Sequence, residues 1–382
     1  MAAAAPALPN CHPDRQCRHS YGPWTMQHSK VRVEKNLSNP GLRLIPYGIS
    51  KVMQKANREM KRSNPVAETR RAIKVVKAND PPDPEHFRIM PLPPKSTHRD
   101  GAIYMRKDYF RSNLRIDITD RNETPLEPDP ENCLYHMGCQ MMQIFSLKLA
   151  KAPNSGPLQL YGFIGARDDI DFKLNYVFNR SRDDPITVQQ SRSHNLTSMG
   201  SLIEMTGPKR GISMDSPVLI EYDMRIKNGE KEEDDLQLID GAMDFHDLST
   251  SWTPFTCRIV GDCGAVDVTL ALVHSALEAT VEVFISDVQS SFDLSLSSFV
   301  LLMDVRQEIQ HFHGTIDESR GLRRFVLAVL KGTMIHLKFK VGQQGSNSDV
   351  VHVCSFISKF HGSATRQIKL EHASISVKVN FA

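Results

Sequence analysis

The densest run of groups able to do chemistry is YGFIGARDDIDFKLNYVFNRSRDDP, residues 161–185. Arg-Asp-Asp occurs in it twice, as Arg167, Asp168 and Asp169 and again as Arg182, Asp183 and Asp184; Asp171 adds a fifth carboxylate. Carboxylates gathered on loops at one end of a β-structure can supply several of the roughly six to eight oxygens that calcium takes. No calcium-loop spacing is present, and the same aspartates can cap turns while each arginine pairs with its own neighbours. A second cluster, GPKRG at 207–211, sets Lys209 and Arg210 between glycines. Such a turn can present backbone N–H groups and positive charge to a phosphate, or it can be an ordinary tight turn with solvated charges. It lacks the spacing and the terminal Lys-Ser/Thr of a P-loop. The ligand-binding candidates are therefore Arg167, Asp168, Asp169, Asp171, Arg182, Asp183, Asp184, Lys209 and Arg210.

Other groupings carry less. Cys11, His12, Cys17 and His19 lie close together, as do Cys133, His136 and Cys139. Neither set has the paired ligand spacing of a zinc site, so no metal or cofactor is assigned. His311 and His313 alternate along QEIQHFHGTID, sharing one strand face while Phe312 takes the other. That fits a solvated face as well as a pair of ligands. Cys257 and Cys263 flank a bend and could face each other in a hairpin. No G-x-S-x-G elbow occurs, and fifteen histidines make chance Ser/His/Asp triples inevitable. No catalytic residue is assigned, which leans the chain away from an enzyme and toward a binding or interaction module.

Seven cysteines, an odd number, with no secretory leader point to a reducing compartment and free thiols. The start, MAAAAPALPNCHPDRQCRHS, has no basic residue ahead of its alanines; a plastid transit peptide is the alternative to a cytoplasmic or nuclear address, against which stand Asp14 and the scarcity of serine. Asn-x-Ser/Thr triplets at Asn36, Asn122, Asn179 and Asn195 are then chance matches. No run approaches the roughly 20 apolar residues that span a bilayer, and 40% hydrophobic with 24% charged residues suits a soluble chain with a core.

The elements that must position these groups begin with a change of character near residue 135. Residues 1–130 hold 23 Lys+Arg against 14 Asp+Glu, and the remainder 24 against 30. A basic arm ahead of an acidic body can bind polyanions or fold back on the body. The arm shows no sustained period over 1–48, two short helices over 50–78 broken before Pro65, and a proline-rich linker over 80–95. Tyr104 to Asp117 fits helix or strand. Its basic stretch KRSNPVAETRRAIKVVK could touch nucleic acid, but no aromatic residue is interleaved with the charges.

From about 131 to 382 the apolar period is two. CQMMQIFSLKLAK puts Phe145, Leu147 and Leu149 on one face; LQLYGFIGARD aligns Leu158, Leu160 and Ile164 around Gly162. In SPVLIEYDMRIKNG, Val218, Ile220, Tyr222, Met224 and Ile226 alternate with charged residues, one face buried and one wet, up to an Asn228-Gly229 turn. GAVDVTLALVHSALEATVEVFISDV reads as a hairpin, and RRFVLAVLKGTMIHLKFKVG as another turning at Lys331-Gly332, its first strand central. Ile375, Val377, Val379 and Phe381 close the pattern. Roughly 13 strands at this spacing predict a mainly β fold, an antiparallel β-sandwich or barrel, behind a flexible basic N-terminal arm.

The stretches LQLYGFIGARD (158–168), NYVFNRSRDDP (175–185), IEMTGPKRGIS (203–213), PVLIEYDMRIKNGEKEEDDLQLIDG (217–241) and ISVKVNF (375–381) agree in order and gaps with a known pattern. Over about 135–382 the chain resembles a plant family common in grasses, the domain-of-unknown-function family 6598. The resemblance implies an all-β body and a stress or defence association, and some relatives look like partners or fusions of ribosome-inactivating rRNA N-glycosylases. That catalytic module uses a Glu-x-x-Arg on a helix with flanking tyrosines and a tryptophan, an arrangement missing here, so the activity does not carry over. The expected function is a non-enzymatic interaction module in plant stress or defence, with a protein partner or polar ligand. The alternatives are a divalent-cation or anionic-ligand binder through the Asp-rich loops, or an rRNA-directed activity.

Overall fold

A computed structural model describes residues 74–83, 86–90, 97–99, 101, 103, 119–125, 138–153, 156–189, 200–247, 250–303, 305–343 and 349–382. The expected unpatterned start, the helices up to residue 73, the undecided 104–117 segment and the cysteine–histidine groupings other than Cys139 lie outside the described residues.

One strand organises the rest. β12 runs unbroken over Ala265–Ser286, 22 residues, or about 70 Å at ~3.3 Å per residue. The sequence pattern suggested a hairpin here because the apolar phase changes partway. In the structure the change is a bulge: Ser275 takes a left-handed φ of 52°, and the register against β3 (Cys139–Lys151) jumps between Val273 and Ala276. An extra residue in one strand turns the following side chains to the other face without reversing the chain.

On one side of β12, Val266, Val268, Leu270 and Leu272 join a first core with β4 (Leu158–Arg167), β5 (Asn175–Arg180), β9 (Val218–Ile226), β10 (Leu236–Phe245) and β11 (Phe255–Val260). Farther along, Leu277, Ala279, Val281, Val283 and Ile285 join a second core with β13 (Phe292–Leu302), β14 (Val305–Ile316), β16 (Phe325–Leu330), β17 (Met334–Gln343), β18 (Asp349–Ile357) and β20 (Ser374–Phe381). Leu147 and Leu149 face the first core as expected, but a register jump in β3 sends Phe145 into the second. Gly162 of β4 has a φ of 103°, and a Cβ there would overlap the Asp223 carbonyl oxygen, so the alternating strand needs a glycine at that point.

Three sheets result. β10-β9-β4-β5, with β6 (Ile186–Val188) on β4, covers the first core; β1-β14-β13-β17-β18 covers the second; β12 threads the third, ten-stranded sheet, which adds β7 (Ser201–Ile203), β8 (Ile212–Ser213), β15 (Arg320–Gly321) and β19 (Gly362–Lys369). The mainly β, antiparallel expectation holds from Cys139 onward, and no sheet closes into a barrel. The Lys331-Gly332 turn is present, with Gly332 at φ 73°, but it does not make a hairpin. β16 pairs with β12 while β17 pairs with β13 and β18, so the turn carries the chain between sheets. β16 is apolar on both faces because it is covered on both, not because it is hydrogen-bonded on both edges.

The residues before 131 contribute strands. Lys74–Val76, placed by its sequence at a helix end, is β1 and pairs parallel with β14. Phe87–Met90, inside the expected linker, is β2 and pairs parallel with β11. Lys148 of β3 donates to the Asp80 carbonyl between them at 2.9 Å. Backbone partners on the body overrode a proline-rich local composition. Among the described residues no helix is long and apolar enough to cross a membrane.

Because β12 serves both cores, Leu270→Ala in the first and Leu277→Ala in the second should each destabilise the protein by about 2–5 kcal/mol. Calorimetry should show each lowering one shared unfolding transition; two transitions, each shifted by only one variant, would contradict a common strand.

Candidate functional site

The Asp-rich segment and the basic turn meet, though not as a cation loop. Arg210 lies buried and holds Asp168 in a two-pronged pair, Nη1 to Oδ2 at 2.6 Å and Nη2 to Oδ1 at 2.7 Å. Asp168 also accepts the Ser213 N–H at 2.8 Å and the Ile170 N–H at 3.2 Å. Asp171 accepts from the Thr124 hydroxyl at 3.0 Å, and Thr124 in turn accepts from Arg210 Nε at 3.2 Å. Planar guanidinium against carboxylate, with the remaining lone pairs taken by backbone N–H groups, is the arrangement that makes a buried charge pair tolerable.

Arg167 does not pair with its neighbouring aspartates. Its Nε donates to Glu221 of β9 and its Nη1 to the Phe172 carbonyl at 2.6 Å. Glu221 and Asp223, set by the period on a wet face, are buried. That face is covered by pieces from before residue 131: His98 Nδ1 bonds Asp240 Oδ1 at 2.7 Å, and His98 Nε2 approaches Glu221 Oε2 at 3.4 Å. The His98 ring meets Phe163 edge-on at 5.3 Å, and Arg121 lies 5.0 Å over the same Phe163. Burial alone would lower the His98 pKa, but the two carboxylates outweigh it and hold the imidazolium above its usual range.

The second Arg-Asp-Asp is dispersed. Arg182 reaches across to Asp235, Nε to Oδ2 at 2.7 Å, and to the Glu230 carbonyl at 2.8 Å. Against the upward push of burial, Arg182, the Asn228 N–H and Tyr161 hold Asp235 down to about 2. Asp184 accepts from Arg180, Asp183 is exposed, and Lys209 pairs with Glu123 at 2.7 Å. Asp169 keeps a buried Oδ1 without a hydrogen-bond partner. Among the described residues no three His, Cys, Asp or Glu side chains gather as metal ligands, and Cys139, Cys257, Cys263 and Cys354 are free thiols.

A cleft lies where the 205–208 loop meets β3, β14 and the start of β16. Its space is about 420 Å³ counted to the open mouth, of which only about 20 Å³ can hold the centre of a water molecule. Arg323, Arg324, His311, Gln310, Gln143 and Thr206 are among its lining residues, which include no Asp or Glu. Arg324 Nη2 bonds the Lys209 carbonyl, and Arg323 Nη1 bonds the Met205 carbonyl at 2.9 Å. Burial lowers the Arg323 pKa, and the nearby Arg180 charge pushes the same way, opposed by Glu204 and Asp184. The Arg180 Nε is buried and has no hydrogen-bond partner.

His311 is turned inward by a bulge in β14, where the register with β13 jumps between Leu296 and Ser297. It stacks on Phe325 at 3.5 Å and meets the Ser298 hydroxyl at 2.7 Å, while His313 stays exposed. The two histidines therefore do not act as a pair. Burial pulls the His311 pKa down to about 3, which keeps the ring neutral. The pairings of Glu221, His98 and Arg323 escaped the sequence because their partners lie far along the chain; the adjacent arginines at 323–324 before an apolar strand were the available signal.

A family model described as "Domain of unknown function (DUF6598)" matches residues 141–379. No curated protein matches. Solved structures that align include human GIVD cytosolic phospholipase A2, at 7% identity over 65% of this chain and 31% of that chain with a TM-score of 0.24. Its complex with methyl gamma-linolenyl fluorophosphonate aligns at 6% identity over 64% and 33%, with a TM-score of 0.23. The chain spans about a third of those proteins' length.

Removing one partner of the buried pair, by Arg210→Ala, should cost about 3–5 kcal/mol, whereas Asp183→Asn at its exposed site should leave the melting temperature unchanged. The raised His98 pKa contributes stability in full below pH 6.5, its ordinary value, and loses it as pH climbs through the folded value. The gap in melting temperature between wild type and His98→Gln should be widest below that pH and shrink above it; a gap that grows with pH would reverse the assignment.

Proposed function

The chain belongs to the DUF6598 family of domains of unknown function, and from that premise we propose that it is a non-enzymatic binding protein whose ligand is a small anion held at the mouth of the cleft around Arg323. The observation that carries this is the lining: two guanidiniums and no carboxylate, with Glu204 outside it at 3.5 Å from Arg323. Beside it, Arg180 has an unpartnered buried Nε. A guanidinium in a partly dry site is the side chain suited to phosphate or carboxylate, and neutral His311 and the amides of Gln143 and Gln310 add hydrogen-bonding groups around it. The room for a water's centre is only about 20 Å³, so an anion would rest at the mouth with most of its bulk outside. A calcium-binding role for the aspartates has less support, since Asp168, Asp171 and Asp184 are engaged with protein donors.

We further place this binding in plant stress or defence, on the resemblance alone. Purified protein should then release no adenine from ribosomes, and depurination would move it to an rRNA-directed enzyme.

Inorganic phosphate is the first probe. Titration calorimetry should give heat, and a phosphate concentration ~100 times the dissociation constant should stabilise the fold by about 2.7 kcal/mol. Arg323→Ala and Arg180→Ala should each abolish most of that gain, and calcium should give none. Phosphate stabilisation of equal size in both arginine variants would discard the site.

A further inference from the structure

We propose that β18 is a dimerisation edge: two copies of this chain align their β18 strands antiparallel about Cys354 and continue one sheet through the other.

Among the described residues β18 ends its sheet and is hydrogen-bonded on one side, to β17. Ten large apolar side chains are exposed among the described residues, and five of them sit on this corner: Met334, Val350, Val351, Val353 and Ile357. Val353 is 57% exposed and Ile357 63%. A long edge strand of this kind is an open template unless it is guarded by charge, proline or a bulge. DVVHVCSFI carries no charge after Asp349 and no proline, and its register with β17 has no jump. Its neighbour at the same end of the fold, β19, is guarded by Arg366 and Lys369. The opposite edge of the same sheet is already occupied by β1.

The occupant is read from self-complementarity. Antiparallel pairing about Cys354 sets Val351 of each copy opposite Ile357 of the other and Val353 opposite Ser355, all on the outward face. The same alignment sets Asp349, which in its own copy pairs with Lys340 at 2.5 Å, opposite Lys359. Lys359 lies within reach because Ser358 prolongs the ladder by donating to the Thr333 carbonyl at 2.9 Å. The two-fold axis repeats each contact, so two apolar pairs and two opposite-charge pairs form at once. Moving the centre by one residue, to Val353, would place Asp349 against Ile357 and lose both charge pairs.

The test is the association state of the full chain by sedimentation equilibrium. Wild type should be dimeric at about 10 μM. Val353→Lys should weaken the dimer about tenfold or more, because it would set an unpaired charge opposite Ser355 of the other copy in place of an apolar contact. Asp349→Lys and Lys359→Asp should each weaken it, and the double exchange Asp349→Lys with Lys359→Asp should restore it. The exchange keeps the test decisive even where Val353→Lys folds poorly, since Asp349 and Lys359 are both exposed. A monomer up to about 100 μM, or a dimer indifferent to Val353→Lys and to both single charge changes, overturns the proposal.

Discussion

The rest of this structure depends on a single strand that feeds two apolar clusters along its length. β12 supplies Val266, Val268, Leu270 and Leu272 to one apolar cluster and Leu277, Ala279, Val281, Val283 and Ile285 to another. Where that strand is covered, a polar residue needs a partner. Asp267 shows the rule: it is buried, and Arg258 across the ladder meets it at 2.7 and 2.8 Å. The bulge at Ser275 then hands the apolar face from one cluster to the next. Neither cluster is closed without this strand, and beside the cleft Gln143 of β3 accepts the Ala328 N–H of β16 at 2.7 Å.

Charge is handled in the same way, by distant pairing. Arg167, Arg182 and Arg210 each cross to a carboxylate on another element, Glu221, Asp235 and Asp168 respectively. Buried ions of this kind add little net stability over apolar packing, but a wrong register would leave them uncompensated. They therefore act as checks on alignment, fixing β4 against β9 and the 207–211 turn against the loop after β4. That role explains a dense polar cluster with no metal geometry.

The strands themselves were legible in the sequence. Val218–Ile226 and Ser374–Phe381 appear where their alternation put them, because a period of two is imposed by the backbone and needs no knowledge of partners. Pairing was not legible. Lys331-Gly332 has every local mark of a hairpin, yet β16 and β17 part into different sheets, a choice made by which core each can fill. The same limit hid the charge partners: Asp168 and Arg210 stand 42 residues apart, and nothing local to either says which of many carboxylates or guanidiniums it will meet. Short β1 and β2 were hidden for a different reason, since three or four residues carry no period and their strand form is dictated by β14 and β11.

The family match starts at residue 141, but the folded unit does not. β1 and β2 hold one edge of each of two sheets, and His98 neutralises Glu221 and Asp240 from outside that boundary. A recombinant fragment trimmed to the matched region would expose the β11 and β14 edges, strand Asp240 without its imidazole and leave Glu221 to Arg167 alone. Cloning limits for this protein belong upstream of Lys74, and a truncated product that precipitates would report on the boundary chosen, not on the fold.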